Sequence, residues 1–123
     1  MTDKSPQIEV TVMGEAAVVR FRRTECLMSS LSPRQDVGED LFKLVDTDHY
    51  SLIILNFENP DIHWLSGAFQ ALLVTLHHRL FKANGVLKLC NVSASIMEQF
   101  QVNQFAKYFN IYPNLEAALK RNA

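Results

Sequence analysis

Cysteine is scarce in this sequence: Cys26 and Cys90 are the only two in 123 residues. Two are too few for a disulfide framework, and Cys90 stands in an apolar run where a free thiol behaves as a small hydrophobe. A reducing compartment fits, and the cytoplasm is the expected location. Long apolar runs are missing as well. None approaches the roughly 20 residues that a helix needs to cross a bilayer. The stretch from Met1 to Gln7 is polar and lacks the apolar core of a secretory signal, so no membrane partner is expected. Charge of one sign is not in excess either. Twelve basic residues against 13 acidic ones leave a formal charge of -1, which removes any general pull towards nucleic acid or anionic lipid. The four glycines, Gly14, Gly38, Gly67 and Gly85, stand singly. They form neither a phosphate-cradling lysine loop nor a dinucleotide fingerprint, and no cofactor is expected.

With 48% apolar and 20% charged residues, the chain is expected to build a single domain over 8–119, behind a frayed lead-in at 1–7 and before a frayed end at 120–123. Ile8, Val10 and Val12 alternate with polar residues, Gly14 supplies a turn, and Ala16 to Phe21 is β-branched and aromatic, which predicts a hairpin. Arg22 to Leu31 has no sustained period and reads as loop, with Cys26, Leu27 and Met28 as possible anchors. Ser32, Pro33 and Gln35 start a helix expected over Pro33 to Asp46. Leu52 to Leu55 reads as a strand covered on both faces. A long helix follows, with Leu65, Ala68, Phe69, Leu72, Leu73, Leu76 and Leu80 inward and Ser66, Gln70, His77, His78 and Lys82 outward. It is expected to end at Asn84 and Gly85. Val86 to Val92 is a second buried strand, Ser93 or Ser95 caps a short helix, Phe109 to Tyr112 forms a last strand, and Pro113 opens a terminal helix. The order, a hairpin and then α, β, α, β, α, β, α, predicts an α/β fold with a mixed sheet of about five strands, about four helices and right-handed crossovers.

Few residues carry a pattern for chemistry. Asp61, His63 and Ser66 lie close together, but hydrolytic triads draw their members from separate rigid elements and need donors for an oxyanion. A polar loop leading into a helix cap explains the three, and no catalytic residue is assigned. The adjacent His77 and His78 diverge by about 100° on a helix and cannot share a metal ion, so no metal site is assigned. Ser66 differs. It falls at the first turn of the longest helix, where a phosphoryl group would meet unpaired N–H groups and the positive end of the helix dipole.

Leu52 to Phe57, the helix start Trp64-Leu65-Ser66-Gly67-Ala68, the strand Val86-Leu87-Lys88-Leu89-Cys90-Asn91-Val92-Ser93, and Phe109-Asn110-Ile111-Tyr112 together resemble the STAS domain of bacterial anti-sigma factor antagonists. The likeness runs from about Ile8 to Leu119. It implies a STAS-like mixed sheet and a protein-binding module that is not an enzyme. Ser66 takes the place of the phosphoacceptor serine, modified by a partner that is an ATP-binding serine-kinase anti-sigma factor and reset by a protein phosphatase. The implied contact surface takes in Asn56 at the end of a strand, Asp61, His63 and Trp64 in the following loop, Leu65, Gly67 and Gln70 at the helix start, and Arg23 nearby. Trp64 and Leu65, if exposed, would be apolar anchors. They replace the acid and the first serine of the family motif, which opens an alternative: an adaptor or scaffold subunit of a signalling assembly or transporter that binds constitutively, without phosphorylation. No pattern assigns an oligomeric state.

Overall fold

A computed structural model of the chain describes residues 8–22, 24–28 and 37–120, with only the backbone of Glu25 and Cys26. The expected lead-in at 1–7, Arg23, and the start of the helix expected from Pro33 lie outside the described residues.

Strands β1 (Ile8–Met13) and β2 (Ala16–Phe21) form the antiparallel hairpin. They turn at Gly14, whose φ of +63° is left-handed backbone that a Cβ would strain. A single helical turn, α1 (Glu25–Met28), stands where loop was expected. Four residues are too short to show a helical period, and Leu27, fully buried, is the anchor. Then follow α2 (Glu39–Asp46), β3 (Leu52–Asn56), α3 (Gly67–Lys82), β4 (Val86–Cys90), α4 (Ala94–Val102), a 3-10 turn at Ala106–Tyr108, β5 (Asn110–Tyr112) and α5 (Leu115–Leu119). The sheet runs in the order β1-β2-β3-β4-β5, parallel from β2 onwards.

Side chains alternate across the sheet and feed two cores. Ala17, Val19, Ile53, Leu55, Leu87 and Leu89 face α2, α3 and α4 in the larger one. Ala16, Val18, Ile54 and Cys90 face Leu115, Ala118 and Leu119 of α5 in the smaller one. Coverage on both sides is why β3 and β4 read as continuous apolar runs. Lys88 is the exception on the smaller side. Its ammonium donates to the Ala118 carbonyl at 2.8 Å and lies 5.0 Å from the centre of the Tyr112 ring, so the charge stabilises the last carbonyls of α5. Among the described residues, no helix is long and apolar enough to cross a membrane.

Candidate docking site at the start of α3

The parallel strands β3 and β4 finish side by side, and their ends are spliced before the chain enters the loop. Phe57 N–H donates to the Cys90 carbonyl at 3.0 Å. The Asn56 side-chain oxygen accepts from Glu58 N–H at 3.0 Å and from the Asn91 amide at 2.9 Å. Asn56 is therefore buried in this splice and is not the surface contact expected of it. Asn91 takes a φ of +57°, backbone that asparagine tolerates better than most residues.

Next comes a loop held from below. Phe57 and Ile62 are buried, and Phe57 stacks on Phe21 at 5.2 Å between ring centres. Asn59 Oδ1 accepts from Asp61 N–H at 2.9 Å, a local turn bond. Asp61 and His63 are exposed. His63 Nδ1–H donates to the Asp61 carbonyl at 3.2 Å, while the Ser66 hydroxyl oxygen accepts from Phe69 N–H at 3.0 Å. Each has its own partner, and the two are not brought together as base and nucleophile.

Residues 63–66 are clamped from α1, α3 and α4. The Gln99 amide grips Leu65 at two points, accepting from its N–H and donating to its carbonyl, both at 2.9 Å. Gln70 Nε2 donates to the same carbonyl at 3.1 Å, and Asn103 donates to Gln70 Oε1 at 3.0 Å. Ser95 donates to the His63 carbonyl at 2.9 Å. Ser66 N–H donates to the Leu27 carbonyl at 2.8 Å. Both backbone groups of Leu65, the carbonyl of His63 and the N–H of Ser66 thus have partners, which helps this irregular segment to stay extended next to the core.

Several expectations change in this geometry. Ser66 is the N-cap of α3 with extended backbone, and it is 1% exposed where an outward hydroxyl was expected. Helical projection does not apply to a residue outside the helix, whose side chain folds over the first turn to satisfy an N–H. Leu65 is fully buried and is no surface anchor. Gln70 faces inward and Ala68 outward, the reverse of the projection, because the Leu65 carbonyl and Asn103, at the end of α4, supply polar partners for Gln70. His77, expected in solvent, is half-buried with Phe109 at 6.3 Å and Tyr108 at 6.5 Å. Burial, and then the neighbouring His78, lower its pKa. Gln99, Ser95, Asn103 and Asn91 were missed. Gln99 could have been found, since it lies three residues after the inward-facing Ile96, on the same face of a helix.

What remains at the tip is Trp64, 45% exposed on a fixed backbone. Asp61, His63, Gly67 and Ala68 around it are exposed too, and a Cβ added at Gly67 would meet nothing within 4 Å.

A five-stranded mixed sheet with this order and connectivity is the architecture of the STAS domain, and the resemblance read from the sequence holds at the level of fold. An anti-sigma-factor antagonist (STAS) domain protein from Planctomyces limnophilus superposes with a TM-score of 0.75 at 22% identity, over 91% of this chain and 94% of that one. TM1081 from Thermotoga maritima gives 0.71 at 10% identity, over 97% and 90%. The Bacillus cell fate determinant SpoIIAA in the phosphorylated form gives 0.62 at 18%, over 89% and 95%. No protein-family model and no curated protein matches the sequence.

Proposed function

We propose that the chain is a protein-binding module of the anti-sigma factor antagonist kind, and that its contact surface is centred on Trp64. The observation behind this is a large aromatic ring left in solvent on a segment whose backbone is hydrogen-bonded from three helices. Buried aromatic anchors dominate the energetics of interfaces, and a rigid carrier loses little freedom when it docks. The partner in this reading is an ATP-binding, serine-kinase type of anti-sigma factor, met in the cytoplasm, and the flanking contacts are Asp61, His63 and Gly67.

Binding without a gate is the form favoured by Ser66. A kinase must bring a hydroxyl into line with a phosphate, and this one is 1% exposed and already caps α3. A gated form, with a phosphatase to reset it, has support in the phosphorylated state of one structural neighbour and requires residues 63–66 to open first. Calorimetric titration with a kinase-type anti-sigma factor tests the main reading. Trp64→Ala is expected to weaken binding about 30-fold, the effect of a 2 kcal/mol anchor, with the melting temperature unchanged. Unaltered affinity would remove Trp64 as the anchor. Incubation with that partner and ATP, followed by peptide mapping, is expected to leave Ser66 unmodified. Phosphate found on Ser66, and absent in Ser66→Ala, would restore the gate.

A further inference from the structure

β1 is an edge strand. It pairs with β2 on one side, and among the described residues nothing bonds to its other side. Natural edges are usually blunted by lysine, proline, a bulge or short length, because a row of open N–H and C=O groups is a template for another strand. β1 carries none of these. Its six residues, Ile8 to Met13, run in unbroken register against β2 and include one charge, Glu9. Beyond the buried Ile8, its apolar side chains are also uncovered: Val10 is 37% exposed, Val12 55% and Met13 39%. The register sets Val10 opposite Val19 and Val12 opposite Ala17, which places both valines on the face that carries α2. There they floor an open groove of about 460 Å³ whose far wall includes Leu44 and Tyr50. Lys43, between Asp40 and Asp48, gives the rim both signs of charge.

We infer that β1 is the interface to a second copy of this chain, the two β1 strands pairing antiparallel about a two-fold axis through Thr11. An axis normal to the sheet keeps each face on its own side, so directly opposed residues must share a face. Centring on Thr11 meets this condition. Val10 then lies opposite Val12 of the second copy, Glu9 opposite Met13, and Thr11 opposite itself, so the valines form one apolar stripe and no acid faces an acid. The mixed rim lets the Lys43 of each copy turn towards the other's aspartates. With a chain charge of -1 there is little bulk repulsion to resist association. A second copy is the occupant this edge suits, because one register pairs the valines on one face and sets Glu9 opposite Met13 on the other. The interface uses none of residues 61–70 and stands or falls separately from the docking proposal.

Sedimentation of the full chain from micromolar to near-millimolar concentration tests this. The wild type is expected to shift from monomer to dimer, and Val12→Lys to weaken association at least tenfold with the melting temperature unchanged, since that side chain is mostly in water. Register is tested separately by mild oxidation of Thr11→Cys. Directly opposed residues of an antiparallel pair have Cα atoms about 4.5–5.5 Å apart, within the span of a disulfide. A disulfide joining position 11 of the two copies should be found by mass spectrometry, and none should join position 9 in Glu9→Cys. A wild type that stays monomeric throughout overturns the inference. So does a dimer that Val12→Lys leaves intact, or cross-linking at position 9 in place of 11.

Discussion

At Gly85 the chain passes so close to its neighbours that a methyl group has no room. An added Cβ would lie 2.7 Å from the Ser51 carbonyl oxygen and 2.9 Å from Leu80. The first of these is backbone, fixed by the bond from Val86 N–H to the same carbonyl. Gly85→Ala should therefore cost about 1–3 kcal/mol, read as a lower urea midpoint with an unchanged m-value. The sequence marked Asn84 and Gly85 as a helix stop without dividing their roles. Asn84 takes the left-handed φ of +63° while Gly85 supplies the close approach. A residue just before the neighbouring strand β3 creates that need, so it could not be seen locally. Cys90 is a second case. Burial, with the Glu58 carboxylate adding to it, pushes its thiol up to about 11. The folded protein holds that proton where the unfolded chain, with a thiol near 8.5, has released it. This contribution is complete at low pH and is lost as pH rises from about 9 to about 11, by at most about 2–3 kcal/mol. Urea unfolding at pH 8 and pH 10.5 should show a larger fall for the wild type than for Cys90→Ala.

Among the elements, those with a long period were legible and those fixed by distant contacts were not. β1 to β4 and the body of α3 follow from alternation, apolar runs and a repeat of 3.6 residues. α1 did not, and neither did the conformation of 63–66, because the side chain that grips Leu65 lies 34 residues further on. Ser66 was recognised as lying at the helix start, but its burial depends on Leu27 of α1. Removing the grip should be measurable. Gln99→Ala leaves the Leu65 N–H without its partner and is expected to cost about 1–3 kcal/mol. Hydrogen exchange should rise at Leu65 and Ser66 before it rises in β3 or β4. Equal protection in mutant and wild type would mean that the bonds from Gln70, Ser95 and Leu27 hold the segment without Gln99.

For the molecule as a whole, the two faces of the sheet are unequally covered. Four helices, α1 to α4, lie on one side, and a five-residue helix, α5, on the other. So short a helix has little stability of its own and depends on its contacts. Asn114 caps its start at 2.8 Å and Lys88 binds its end from beneath. Lys88→Met keeps most of the stem but leaves the Ala118 carbonyl unpaired, so a loss of about 1–3 kcal/mol is expected, with residues 113–120 exchanging early by mass-resolved hydrogen exchange. Lysine in a strand buried on both faces was the one polar break in that pattern. Its purpose could not be read without knowing that α5 returns to cover it.

The Gln99 amide holds residue 65 by its backbone, and the bonds to 63 and 66 also end on main-chain atoms. Side chains at 61, 64 and 68 take no part in that frame. Exchanging them would leave the folding free energy almost where it was while altering the shape and charge offered to a visitor. One scaffold can therefore be readdressed to a new recipient by substitutions confined to its tip.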